Sequence, residues 1–195
     1  MVKFEPVKLN PLFDMLPPIL HINHDDSARQ TLSPIIQLLL QESQQRRCGL
    51  ATVLGRLVEV LLVHVLRFLM ANQKVASGVL AGLSDIRLAR AITAMHRDPK
   101  QHWNTESLAS LAGMSRTAFN QHFRQTVDCP PGEYLTQWRI RLACRLLEAS
   151  TTLISHIVEQ LGYQSVTTFF RAFRKRIGFS PRQYRLHAKT IYAQN

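Results

Sequence analysis

Two stretches of the sequence carry side chains that could read the edges of base pairs: SRTAFNQHFRQTV (115–127) and SVTTFFRAFRKRI (165–177). Each opens with a serine able to cap a helix by accepting from its first free N–H groups. In the first, Phe119, Phe123 and Val127 recur at helical spacing as a buried face. Thr117, Asn120, Gln121 and Arg124 then lie toward the opposite side. Asn and Gln can bond adenine N6 and N7 together. Ser115 and Arg116, at the helix start, are placed for phosphate oxygens or base edges. In the second, Phe169, Phe173 and Ile177 form the inner face. Ser165 caps the helix, and Val166, Thr167, Arg171, Arg174 and Lys175 are left outside. Arg171 suits guanine O6 and N7, and Val166 and Thr167 suit thymine methyls. The run Arg174, Lys175 and Arg176 serves phosphate contact or solubility equally well. The phenylalanines are read as core, not as stacking platforms for single strands. Phe170 aligns with Asn120 and is expected to be partly exposed.

These side chains need elements to hold them, and a duplication supplies the pattern. LASLAGMSRTAFNQHFRQTVDCPPGEY (108–134) lies on IVEQLGYQSVTTFFRAFRKRIGFSPRQY (157–184). Ser115, Phe119, Phe123, Val127, Pro131 and Tyr134 match Ser165, Phe169, Phe173, Ile177, Pro181 and Tyr184, all at an offset of 50. Gly113 matches Gly162, because the second copy has an extra turn residue, Gln164. Each copy runs short amphipathic helix, Gly turn, serine cap, second helix. The apolar side of the first helix is Leu108, Leu111 and Ala112 in one copy and Ile154, Ile157, Val158 and Leu161 in the other. This is helix–turn–helix grammar, with the second helix offered to a major groove. Between the copies a helix over about 131–149 presents Tyr134, Leu135, Trp138, Leu142 and Leu146 to one side, with Arg139, Arg141 and Arg145 largely elsewhere. Two units joined by one rod would occupy successive grooves about 34 Å apart.

Charge agrees. Of 24 Lys/Arg and 13 Asp/Glu, residues 1–83 hold eight and six, net +2; residues 84–195 hold sixteen and seven, net +9. An anionic partner fits that excess and a neutral small-molecule site does not. The 195 residues suffice for one ordinary domain or two small ones, and 46% hydrophobic residues can build a core.

Upstream, residues 1–28 read as irregular, with a short strand at Val2–Val7 and breaks at Pro11, Pro17 and Pro18; they look like a remnant of a preceding domain. Residues 29–83 read as a helical linker and dimerisation hairpin. Its first helix is expected over 32–45, with Ser33 as N-cap and Pro34 at the first position. The second is expected over about 50–72, its polar side formed by Arg56, Glu59, His64 and Arg67. Leu54, Leu57, Val58, Leu61, Leu62, Val65 and Leu69 cover more than a surface helix needs, which points to a homodimer. The rival is packing against the C-terminal half of the same chain. Gly78, Gly82 and Ser84 mark a junction. A helix then restarts from Asp85 through Ile86, Leu88, Ala89, Ile92 and Met95, and Asp98 and Pro99 stop it.

Residues 85–187 resemble the DNA-binding domain of the AraC/XylS family of bacterial transcription regulators. LASLAGMSRTAFNQHF, PPGEYLTQWRIRLACRLL and GYQSVTTFFRAFRKRIGFSPRQYR carry the resemblance. NPLFDMLPPILHI (10–22) and the helices at 32–72 are similar to the connecting region of members with a cupin-type sensor. The sensor barrel is expected to be missing, so no effector site is carried over. The resemblance places the base-contacting positions on Thr117, Asn120, Gln121, Val166, Thr167 and Arg171. It implies double-stranded DNA as partner, RNA polymerase as a second one, and activation of transcription.

The expected fold is all-α: an N-terminal helical hairpin, then an AraC-type domain over 84–187. That domain comprises units at about 86–128 and 153–187 joined by the linker helix, with a tail at 188–195. Several rival functions find little support. An alkyl-accepting enzyme would need an activated thiolate, and Cys48, Cys129 and Cys144 stand in no CxxC or nucleophile–base frame; they read as free buried thiols. No catalytic residue, cofactor or metal site is expected, and HINHDD (21–26) reads as structural or solvent-exposed. RNA binding lacks an aromatic β-platform. The apolar stretch 57–70 is too short and too charged to span a membrane. With no secretory signal, the expected location is cytoplasmic and nucleoid-associated. The remaining alternative is an interaction protein that forms mixed dimers with an intact relative and restrains it.

Overall fold

The computed structural model describes residues 28–45, 48–71 and 77–193. Among them the chain is ten helices without a strand, in two compact units divided between Ser84 and Asp85. The strand expected at Val2–Val7, the prolines at 11, 17 and 18, and HINHDD lie outside the described residues.

In the first unit, α1 (Ala28–Gln44) and α2 (Leu50–Ala71) pack as a hairpin, and α3 (Val79–Ser84) packs on α2. Helix α1 begins earlier than expected and carries Pro34 inside it, not at its start. The apolar stripe Leu32, Ile35 and Leu39 extends the helix back past the proline, with Leu32 buried and the other two half-buried. The hydrogen bond that Pro34 lacks falls on the carbonyl of Gln30, an exposed residue, where water can replace it. The junction marked by Gly78, Gly82 and Ser84 falls at the boundary between the two units. Gly82 is buried within α3, and the Ser84 hydroxyl donates back to the Leu80 carbonyl at 2.8 Å.

The second unit runs α4 (Ile86–Arg97), α5 (Thr105–Leu111), α6 (Arg116–Val127), α7 (Pro131–Ala149), α8 (Ile154–Gln160), α9 (Val166–Ile177) and α10 (Pro181–Ala193). Helix α4 is capped by Asp85, whose carboxylate accepts from the N–H groups of Arg87 and Leu88 at 2.9 and 3.0 Å. Leu88, Ala91, Ile92 and Met95 are buried, but Ile86 is 75% exposed. In the first turn Ile86 falls outside the buried stripe that Leu88 begins. Leu111 likewise ends α5 40% exposed, and Leu108, Ala109 and Ala112 bury instead.

Helix α7 has the expected bounds but not the expected single apolar side. Tyr134, Leu135 and Trp138 are buried in its first half; Ile140, Ala143 and Leu147 are buried in the second. Leu142 and Leu146 are only half-buried. The reason is that α7 serves two cores in succession. The later residues join Ile157, Val158, Leu161, Phe169 and Phe173 in one cluster. Nor do residues 188–195 form a plain tail, since α10 continues to Ala193.

Candidate nucleic-acid interface

Each candidate reading helix is aimed by its buried face. In α6, Phe119 and Phe123 are fully buried, with ring centres 5.5 Å apart, and Phe123 meets Tyr134 of α7 edge-on at 5.7 Å. In α9, Phe169 and Phe173 are fully buried at 5.5 Å, and Phe173 meets Tyr184 of α10 at 5.6 Å. Sealing a Phe pair at i and i+4 leaves the rest of each helix turned out. Ile177 is only half-buried, unlike its counterpart Val127.

Both serine caps form. Ser115 Oγ accepts from the Ala118 N–H at 3.3 Å, and Ser165 Oγ from the Thr168 N–H at 3.2 Å. The first-turn residues 116–118 and 166–168 are exposed, and the positive end of a helix dipole suits an anion.

The structure leaves all twelve expected side chains exposed: Ser115, Arg116, Thr117, Asn120, Gln121 and Arg124 on the first helix, and Ser165, Val166, Thr167, Arg171, Arg174 and Lys175 on the second. Arg116, Thr117, Asn120, Gln121, Arg124 and Gln125 line a shallow, open concavity. Arg176 differs from its neighbours in the basic run, because Glu133 of α7 lies 3.6 Å from it. Phe170 is half-buried, as expected.

Polar pins behind these helices are not legible from local spacing. His122 of α6 lies 2.6 Å from the Asp85 carboxylate, 37 residues back, which ties α6 to the start of α4. Burial alone would raise the Asp85 carboxyl, but the His122 bond and the Leu88 and Arg87 N–H groups outweigh it and hold the carboxyl below its ordinary value. His96 Nε2 lies 2.6 Å from the Tyr134 hydroxyl and its ring stacks on Trp138 at 3.7 Å. Burial lowers its pKa to about 4, so it sits in this core as neutral imidazole. In the other unit the Tyr184 hydroxyl donates to Glu148, and Arg185 donates to the Thr152 carbonyl at 2.6 Å.

The cysteines depart from a uniform buried set, since Cys48 is exposed in the turn before α2 and Cys129 and Cys144 are half-buried. Burial raises the Cys129 thiol, the opposite of nucleophile activation. Among the described residues, no group of three His, Cys, Asp or Glu side chains could hold a metal ion, and no helix is long and apolar enough to cross a membrane. On the candidate dimer face, Leu54, Leu57, Val58, Leu61, Leu62 and Val65 are half-buried. Nothing is described of the Leu69 side chain. Val53, Val60 and Val63 of α2 are exposed by 41–46%.

Comparison with known proteins decides what this arrangement belongs to. A family model described as a helix-turn-helix domain matches residues 108–187, and one described as a cupin matches residues 1–71. An AraC-like transcription regulator sequence from Streptomyces lividans is 37% identical over 177 residues, covering 90% of this chain and 58% of that protein. The chain belongs to the AraC/XylS family. The relatives it matches are described as transcription regulators. The HTH-type transcriptional regulator AlkR of Acinetobacter baylyi is 33% identical, again over 90% of this chain and 58% of its own length. The chain thus spans a little over half the length of the curated AraC-type relatives it matches. The crystal structure of the DNA-binding domain of AdpA in complex with a target DNA is similar at 28% identity and a TM-score of 0.52. It covers 55% of this chain and 96% of the AdpA domain.

Proposed function

We propose that this chain binds double-stranded DNA by sequence, laying α6 and α9 in successive major grooves, and thereby controls transcription as an activator. One observation carries the reading. Twelve side chains able to contact phosphate or base edges are exposed on two serine-capped helices whose inner faces are sealed by equivalent Phe pairs. Ser115, Ser165, Arg116, Arg124, Arg174 and Lys175 position the helices on phosphates. Thr117, Asn120, Gln121, Val166, Thr167 and Arg171 read base edges. The net +9 of residues 84–195 supplies a salt-sensitive background attraction. Activation is favoured by likeness to the RCS-specific HTH-type transcriptional activator RclR of Escherichia coli, 31% identical over 82% of this chain and 56% of that protein. RNA polymerase is then the second partner, and the site of action is the cytoplasmic nucleoid.

Self-association through the α1–α2 hairpin completes the proposal. Leu54, Leu57, Val58, Leu61, Leu62, Val65 and Leu69 supply the apolar side of α2, and Ile36, Leu38 and Leu40 of α1 are 44–57% exposed. A homodimer would set two reading domains on repeated sites and raise their effective concentration. Selection of bound duplexes from a random pool, at two salt concentrations, tests the reading. Two short enriched blocks about one helical turn apart, surviving the higher salt, are expected. Binding without enrichment that vanishes as salt rises would overturn it and favour the mixed-dimer alternative.

A further inference from the structure

The two helix–turn–helix units touch at a seam beside α7, where spacing alone predicts only the rod. Residues 98–103, between α4 and α5, fold tightly on themselves. The Trp103 N–H donates to the Gln101 carbonyl at 2.9 Å, and its indole N–H donates to the Asp98 carbonyl at 2.9 Å. The carbonyls of Pro99 and Gln101 accept from Arg139 of α7, through Nε at 2.8 Å and Nη2 at 3.0 Å. The same guanidinium lies 5.6 Å from the centre of the Tyr163 ring, in the turn between α8 and α9. Next to Tyr163, Gly162 has φ +73°, and a Cβ there would overlap the carbonyl group of Lys100. Backbone of the first unit therefore lies directly on backbone of the second. Lys100 and Glu159 flank the contact at 3.9 Å, an exposed pair of little energetic consequence.

A single helix shared by two units leaves each free to rock about it. A second contact, off the helix axis, removes that freedom. We propose that Arg139 and Gly162 are positioning residues that lock α6 and α9 at one separation and rotation, so that the domain reads the spacing between two base blocks as well as the blocks themselves. This rests on the reading that both helices enter DNA. Rigid coupling raises the effective concentration of the second helix only where the geometry fits, and forfeits that gain where it does not.

The test uses the full chain and a duplex enriched by the unaltered protein, compared with the same duplex carrying one base pair inserted between the blocks. The unaltered protein is expected to lose at least about tenfold in affinity on insertion. In Arg139→Met and Gly162→Ala the loss falls below about threefold, while base preferences within each block stay as they were. Arg139→Lys, which lacks the fork that meets two carbonyls, falls between them. Gly162→Ala strains both φ and contact, so Arg139→Met, which keeps the apolar stem, carries the test if the glycine variant fails to fold. Folded variants that keep the full insertion penalty overturn the seam proposal alone. Enrichment of a single block by the unaltered protein overturns the two-groove reading, and the seam proposal with it.

Discussion

In the first helix–turn–helix unit, Phe123 meets Phe119 at 5.5 Å and Tyr134 at 5.7 Å; in the second, Phe173 meets Phe169 at 5.5 Å and Tyr184 at 5.6 Å. The outer faces do not repeat in this way. Where α6 exposes Thr117, Asn120 and Gln121, the equivalent positions of α9 hold Thr167, the half-buried Phe170 and Arg171. The supports differ too. The tyrosine hydroxyl meets His96 in one unit and Glu148 in the other. Helix α5 has a reciprocal Asn104–Ser107 capping box, whereas α8 has Leu153 at its N-cap position and no side-chain cap. The duplicated aromatic core fixes where a helix lies, and the chemistry on its other side can then diverge. Amides offer adenine a donor and an acceptor, while a guanidinium offers guanine two donors.

The largest effects should come from the shared core. Phe119→Ala and Phe169→Ala are each expected to cost about 3–5 kcal/mol in chemical denaturation. A gap above about 2 kcal/mol between them would break the equivalence of the two cores.

A pH series sharpens the comparison next, because among the described residues only the first unit pairs its tyrosine hydroxyl with an imidazole. Burial takes His96 from its ordinary 6.5 to about 4, so between these values the unfolded chain binds a proton that the folded chain does not. Stability from this group is complete above about pH 6.5 and falls as pH drops toward 4, by up to about 3 kcal/mol. Urea midpoints over that range should show the slope, and His96→Gln should flatten it. An unchanged slope in the variant would assign the acid loss to other groups.

Smaller effects separate the roles of exposed side chains. Arg171→Ala is expected to weaken binding by about 1–3 kcal/mol at one base position. Lys175→Ala should weaken all duplexes alike and lower the salt slope by about one, as a phosphate contact does. The caps come last. Ser115→Ala and Ser165→Ala should each cost about 1 kcal/mol of stability, read from thermal melts.

Much of this fold was legible because its cues are local. The Ser caps, the Phe pairs at i and i+4, and Pro131 at the start of α7 each act within one or two turns, and the repeat doubled every cue. Exposure of the twelve candidate side chains followed from the same periodicity. What stayed hidden depends on distant partners. The second buried face of α7 exists because Ile140, Ala143 and Leu147 meet α8 and α9, not because of their own spacing. His122 with Asp85, and Arg139 with the Pro99 and Gln101 carbonyls, join residues 37 to 40 positions apart. Gly162 could be marked as a turn glycine, but its contact with Lys100 is a tertiary fact. Pro34 misled because its local sequence is that of a helix start, whereas α1 begins six residues earlier.

The most direct test is to measure Asn120→Ala and Arg171→Ala against a panel of single-base changes across the duplex that the unaltered protein selects. Each variant should lose discrimination at one position only, an A·T pair in one block for Asn120→Ala and a G·C pair in the other block for Arg171→Ala. Both variants relaxing the same block, or both weakening every duplex equally, would contradict two helices reading two separate sites.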